Sequence, residues 1–260
     1  MTAGLLGTAP LGPSHIVLLV LGGLGAGLFN GVAGGGSLIS FPLLLALGYP
    51  ALTANITNTV GIWPGYTASA IGFRNEISGQ RDRLVQLGPL AAVGGVAGAI
   101  LLLTTSSALF RSLAPWLVLG GSILFALQPL LLRALGGSAH APPRTRPLLM
   151  VGGTFAASVY GGYFGAGLGV VLLAILGLTL PDSILRTSGL RTALSILVNG
   201  VAAVVFLVHG GLAWEAVGLL AAGSLVGGWI GARIALSIPA AALRVVVVLV
   251  GLATVVKLLA

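Results

Sequence analysis

"GVAGGGSLISFPLLLALG", residues 31–48, interrupts a chain that is otherwise close to hydrocarbon in character. Three consecutive glycines (Gly34, Gly35, Gly36) and Ser37 precede a short apolar run that contains Pro42. A membrane helix accommodates neither a glycine cluster nor an internal proline without cost. The piece after the break, 37–48, is ~18 Å long at helical rise, too short to cross roughly 30 Å of hydrocarbon. It reads as a re-entrant half-helix, whose unpaired N–H groups must lie in protein or a wet cavity because lipid cannot satisfy them.

Composition identifies the solvent around this break. Of 260 residues, 57% are apolar, 6% are charged and 42 are glycine, and the mean hydropathy is +1.12. These values belong to membrane proteins and exclude an ordinary soluble domain. Apolar stretches of membrane-crossing length are predicted at about 16–33, 51–73, 84–104, 113–132, 148–164, 183–208, 214–236 and 241–259, with the short pieces 37–48 and 168–180 appended to the first and fifth. The absence of cysteine rules out disulfides, thiolate metal sites and cysteine nucleophiles. A net charge of +8 could suggest nucleic acid, but the basic residues are scattered through short connections, as topology signals are. No Lys or Arg occurs between Met1 and His15, so the basic start of a signal peptide is missing and the first span is expected to be retained.

The chain repeats its opening pattern. "GGGSLISFPLLLALGYP" (34–50), followed by "ALTANITNTVGIWPGY" (51–66), is echoed by "GAGLGVVLLAILGLTLP" (165–181), followed by "DSILRTSGLRTALSILVNG" (182–200). Each half has a glycine break, a short apolar helix, a proline, and a span with polar residues at helical spacing. "RALGGSAHAPPRTRP" (133–147) reads as a hydrophilic linker between an N-terminal membrane repeat, 1–132, and a C-terminal one, 148–260. The expected fold is an all-α polytopic membrane protein of about eight helical segments in two internal repeats, with the breaks meeting near the midplane as in transporters. Glycines at every fourth residue (Gly23, Gly27, Gly31; Gly161, Gly165, Gly169; Gly223, Gly227, Gly231) have a second reading, close helix packing. The last row is expected to do only that. No strand or soluble βαβ unit surrounds the glycines, so a dinucleotide fingerprint is excluded.

A helix start offers free N–H groups and partial positive charge, so half-helices beginning near Gly36–Ser37 and Gly167–Gly169 form two candidate anion sites. Thr187, Arg191, Ser195 and Asn199 share one helix face, with Arg191 about two turns inside an apolar run where a charge needs a partner or a cavity. Arg191 is read either as a snorkelling or helix-pairing residue or as an anion ligand whose planar fork suits an oxyanion. Asn55, Asn58, Thr59 and Tyr66 form a comparable face, with Thr53 and Thr57 nearby. The four carboxylates, Glu76, Asp82, Asp182 and Glu215, fall near span ends, which argues against a buried carboxylate proton relay, and Asp182 with Ser183 reads as a helix cap. His209 is expected in an interfacial loop. No phosphate loop, metal-ligand cluster or nucleophile–base pairing is recognisable, so neither enzyme chemistry nor a cofactor is expected.

The segments "GVAGGGSLISFPLLLALG", "ANITNTVGIWPGYTASAIGFRNEI" (54–77), "GGYFGAGLGVVLLAILGL" (161–178) and "LRTALSILVNGVAAVVFLVHGGLAW" (190–214) resemble the paired signature segments of the sulfite exporter TauE/SafE family, over about residues 16–259. The resemblance implies an inner-membrane permease for small sulfur-containing anions such as sulfite or sulfonates. Many members of that family carry lysine at the position resembling Arg191, and "GAGLG" interposes Ala166 and Leu168, so the two half-sites are expected to be unequal. The substrate ligands expected are Asn30, Gly34, Gly35, Gly36, Ser37, Asn55, Asn58, Gly165, Gly167, Gly169, Arg191 and Asn199. The partners are a small anion and the bilayer. A channel-like conductor, or a permease for another small organic anion, would use the same residues.

Charge counting chooses the topology. If spans one and five dip in and return through 37–48 and 168–180, nine arginines fall on one face against Arg111 and Lys257 on the other, with Arg191 left in the membrane. If all eight long spans cross, the bias is only seven against four. The positive-inside rule prefers the dipping arrangement, with inverted repeats and both termini outside.

Overall fold

The computed structural model describes residues 12–136, 147–234 and 240–259. Within them the chain is helical, with no strand. In order, the helices are α1 (Pro13–Val32), α2 (Ser37–Ala46), α3 (Ala51–Gly72), α4 (Arg74–Ser78), α5 (Arg81–Thr104), α6 (Ser107–Gly136), α7 (Pro147–Tyr163), α8 (Leu168–Thr179), α9 (Ile184–His209), α10 (Trp214–Ile234) and α11 (Ala240–Leu259). Five of them, α1, α5, α6, α9 and α10, are long and apolar enough to cross a membrane. Of the other three long segments expected from the sequence, α3 carries Thr53, Asn55, Thr57, Asn58 and Thr59 in its first half, and among the described residues α7 has 17 residues and the apolar stretch of α11 covers Val245–Leu258. Helix α6 continues through Gly136, and the rest of the linker read at 133–147, up to Arg146, lies outside the described residues.

Both short helices turn back on the helix before them. A side chain placed on Gly22 or Gly25 of α1 would meet Leu43 or Ile39 of α2, and one placed on Gly36 would strike the Ala26 carbonyl, so α2 runs antiparallel along α1. Likewise a Cβ on Gly153 of α7 would lie 3.1 Å from Ile175 of α8, and one on Gly161 2.6 Å from Leu168. The turns are built alike. Gly34 N–H reaches back five residues to Phe29 O (2.9 Å) and Gly165 N–H reaches back five to Tyr160 O (3.2 Å), with φ of +80° and +77° at the two glycines. They differ in the next step, since Gly36 is right-handed helical at φ −57° whereas Gly167 lies in the left-handed region at +81°. The two breaks are thus unequal in backbone as well as sequence.

The rest of the bundle holds the hairpins in place. α10 packs against α1 and α3, and α5 against α7 and α9, so each half of the chain supplies a helix to the hairpin of the other. Glycine makes both contacts close. A Cβ on Gly27 or Gly31 of α1 would collide with the backbone of α10, and one on Gly223 or Gly227 of α10 with the backbone of α1. A Cβ on Gly98 of α5 would strike the Val159 carbonyl of α7, and one on Gly162 of α7 the Gly95 carbonyl of α5. The rows at Gly23–Gly31 and Gly223–Gly231 are therefore packing surfaces that let helix backbones approach without side chains between them. In the third row, Gly161 packs against Leu168 and Val198, while Gly165 and Gly169 belong to the break.

The helices define two ends. At one, the Ala213 N–H donates to Thr57 Oγ1 (3.1 Å), joining the start of α10 to α3. At the other, which carries α4, an ion pair joins Arg83 to Asp182, Gln80 Nε2 donates to Arg186 O (2.7 Å), and Arg186 donates to Gly79 O (3.3 Å). Ser183 caps α9 by accepting from Arg186 N–H at 3.4 Å, and Asp182 serves the cross-chain pair instead.

Gly227→Val is expected to lower the thermal stability of the purified protein, by about 1–3 kcal/mol, the usual cost of forcing volume into a closed contact. Gly120→Ala is the control, because nothing lies within 4 Å of a Cβ there. Its melting temperature should hold or rise slightly, since alanine favours the helix by up to ~1 kcal/mol.

Candidate anion site at the hairpin tips

The two hairpins enter from opposite ends and touch inside the bundle. Gly169 N–H donates to Gly34 O (3.2 Å), and a Cβ on Gly34 would lie 2.6 Å from the Gly169 Cα. The same Cβ would also strike Nη1 of Arg191, which places the guanidinium over the contact. Glycine at 34 is thus required twice, by its left-handed backbone and by the absence of space. The first tip lies level with Arg191 on α9. The second lies level with Asn199, whose Oδ1 is 3.5 Å from a Cβ built on Gly165. Those two residues are ~12 Å apart along the helix axis, so each tip reaches past the other.

Around the first tip the polar groups are buried and incompletely paired. Arg191 is 2% exposed and is the largest of the fully buried side chains, and among the described residues it forms no salt bridge. Its Nε and Nη2 have no hydrogen-bond partner. Asn30 accepts from Gly36 N–H (2.7 Å) through Oδ1, capping the start of α2, while its Nδ2 is free. Asn58 accepts from Ser40 Oγ, which also bonds Gly36 O (3.3 Å), and the Asn58 Nδ2 is free as well. The Tyr66 phenol lies beside Asn30 and within electrostatic reach of Arg191. Four unpaired nitrogen donor atoms, from Asn30, Asn58 and Arg191, thus surround one backbone break. Buried polar atoms are nearly always paired in folded proteins, and unpaired donors beside an unneutralised guanidinium call for an acceptor with negative charge.

The remaining expected ligands divide between this cluster and other duties. Gly35 sits under the Phe125 ring of α6, and Ser37, 4% exposed, opens α2 at the same tip. At the second tip, Asn55 Nδ2 donates to Tyr163 O (2.9 Å) and leaves Oδ1 unpaired, and Asn199 Nδ2 donates to Ser195 O (2.9 Å). A Cβ on Gly167 would have nothing closer than 3.7 Å. Thr187 Oγ1 donates to Ser183 O within α9 (3.1 Å), and His209 ends α9 exposed. Contributions from α6 were beyond sequence reasoning. Gly121 packs against Ala166 of the second tip, Phe125 against Gly35 of the first, and Gln128, one turn on, is buried with Oε1 unpaired. No repeat, motif or charge marks these positions; only a seven-residue period on an apolar helix could have hinted at them. Ser40 was hidden in the same way, by an apolar run.

Comparison with known proteins identifies the family. The sequence profile described as Sulfite exporter TauE/SafE matches residues 19–258. A probable membrane transporter protein of Haemophilus influenzae is 25% identical over 240 residues, covering 87% of this chain and 88% of its own length. The probable membrane transporter protein ORF9 of a Sinorhizobium species is 26% identical over 90% of this chain and 88% of its own, and the probable membrane transporter protein YfcA of Escherichia coli K12 is 26% identical over 90% and 86%. No solved structure matches. With the family profile spanning nearly the whole helical bundle, the chain is a multi-pass membrane transporter that belongs to the sulfite exporter TauE/SafE family.

Proposed function

We propose that this transporter is an inner-membrane permease for a small sulfur-containing oxyanion, such as sulfite or an organosulfonate, and that the anion binds at the first hairpin tip against Arg191. The observation that carries the reading is the buried Arg191 guanidinium, with no carboxylate partner and two unpaired nitrogens, beside the free amide nitrogens of Asn30 and Asn58. An arginine at the centre of a membrane helix costs ~3 kcal/mol on insertion scales. Each charge-assisted hydrogen bond to an anion returns about 1.5–3 kcal/mol. A cationic cargo would meet repulsion here.

On this reading residues 1–132 and 148–260 are inverted repeats joined by the linker 133–147, and transport proceeds by alternating access around the touching tips. The Arg83–Asp182 pair and the Gln80 and Arg186 bonds to backbone tie the first half to the start of α9. They close the α4 end, with Arg191 about two turns beyond. The substrate meets backbone at Gly34–Ser37 and side chains of Asn30, Asn58 and Arg191, with Gly165, Gly167, Gly169, Asn55 and Asn199 forming the second, unequal half-site. The five arginines Arg74, Arg81, Arg83, Arg186 and Arg233 gather at the α4 end, and Arg111 and Lys257 at the other. The positive-inside rule therefore sets the α4 end in the cytoplasm and the start of α1 outside.

Arg191→Ala tests the site. Removing an unpaired buried charge should leave the melting temperature without ligand unchanged or raised, while abolishing stabilisation by the bound anion and transport in proteoliposomes. For the wild type, an anion at a hundred times its Kd adds about 2.7 kcal/mol, so sulfite, thiosulfate, sulfoacetate, taurine and lactate can be ranked by thermal shift. Arg191→Lys should keep part of both. Equal uptake by wild type and Arg191→Ala would contradict the assignment.

Topology has its own test in this cysteine-free chain. An impermeant thiol reagent applied to intact cells is expected to label Ser14→Cys and to spare Ser78→Cys. The opposite pattern would invert the model of the membrane.

A further inference from the structure

A cavity lies away from the hairpin tips. It opens at the end opposite α4, between the last turns of α2, the α2–α3 turn, the start of α6 and the end of α11, and its volume is about 800 Å³. Its walls are apolar, from Ile39, Pro42, Leu43, Leu52, Val250 and Leu258 among others, and two cations, Arg111 and Lys257, complete its lining. Both are exposed, Arg111 in the second turn of α6 and Lys257 in the last turn of α11. No carboxylate belongs to the lining. Burial, and then the Glu215 carboxylate, hold the lining phenol of Tyr49 above its ordinary pKa.

The charge pattern makes this pair unusual. Among the described residues Arg74, Arg81, Arg83, Arg186 and Arg233 lie at the α4 end, Arg191 is buried at the tips, and Arg111 and Lys257, at the opposite end, share this one cavity. Two cations lining one cavity whose lining holds no carboxylate offer an anion two contacts. The transported anion is a poor match for the place, since the walls are apolar and the volume falls in the range of pockets for drug-sized ligands. Exposed Trp116 and Trp214, with Tyr49, mark this end as the level where aromatic rings meet headgroups. The ligand must therefore join a phosphate-like head to a hydrocarbon tail.

We propose that this cavity binds a single anionic phospholipid, its phosphate between Arg111 and Lys257 and an acyl chain lying along α2 and α11. Because α2 is the returning arm of the first hairpin, the lipid braces the arm that carries the Gly34–Ser37 tip. This binding is independent of which anion the transporter carries.

Native mass spectrometry of the delipidated full chain in neutral detergent tests it, with dioleoylphosphatidylglycerol, dioleoylphosphatidylcholine and inorganic phosphate as separate probes. One phosphatidylglycerol should be retained per chain, with a preference over phosphatidylcholine on the order of thirtyfold for two basic contacts. The R111Q/K257Q double variant should lose that preference while keeping the wild-type melting temperature, and Ala253→Trp, which fills the lined space, should lose retention of both lipids. Equal retention of the two lipids by the wild type, or a preference that survives R111Q/K257Q, would overturn the proposal. Phosphate alone binding as tightly as phosphatidylglycerol would assign the cations to a free anion and overturn it equally.

Discussion

A backbone that breaks inside a bilayer has to find partners for its polar groups within the protein, and the contact between Gly34 and Gly169 is where this chain solves that problem. Each helix hairpin ends in exposed amides, and each supplies part of what the other lacks. Gly169 donates to Gly34 O, Asn30 caps the Gly36 N–H, and Asn55 serves the Tyr163 carbonyl. Once the tips are joined, only side chains without a carboxylate to neutralise them remain, and they are predominantly donors. In the proposed function, the preference for negative charge follows from how the breaks are satisfied.

The glycine interfaces serve the same constraint at longer range. The hydrophobic effect does not drive helices together in lipid, so close backbone approach must hold the hairpins. Contacts at Gly27 with α10 and Gly98 with α7 are made across the two halves of the chain, because α10 sits beside α1 and α5 beside α7. A movement of one hairpin therefore carries along a helix of the other half, and the aromatic contacts Phe29–Phe125 and Phe41–Phe164 join α6 and the second tip to the first hairpin. In the proposed alternating-access cycle, such interlocking would couple opening at one end to closing at the other.

The placement of the breaks is legible in the sequence. The short pieces after Gly36 and Gly167 are too brief to cross, and Arg191 lies so deep in an apolar span that it must be buried, whether it pairs helices or binds an anion; both inferences rest on length and solvation, which act locally in the chain. The helix starts at Ser37 and Leu168 and the serine cap at Ser183 lie where the residues predicted them. What could not be read depends on contacts between distant segments. Phe125 fills the space over Gly35, Ser40 binds Asn58, and glycine rows that might have served either purpose turn out to face one another across α1 and α10. An apolar helix such as α6 presents many equivalent faces in a sequence, and only packing selects one. The cap role of Asn30 was equally hidden, since a side chain that binds backbone and one that binds substrate are the same residue on the page.

In the proposed function, Arg191 is held unpaired so that an oxyanion can complete it. Selenite or selenate, heavier relatives of the sulfur oxyanions, can be soaked into crystals of the transporter and located by the anomalous signal of selenium. An anomalous peak within hydrogen-bonding distance of the Arg191 guanidinium and the Asn30 and Asn58 amides is the predicted result. An empty tip with selenium bound elsewhere, or an Arg191 neutralised by a carboxylate of the chain itself, would contradict it.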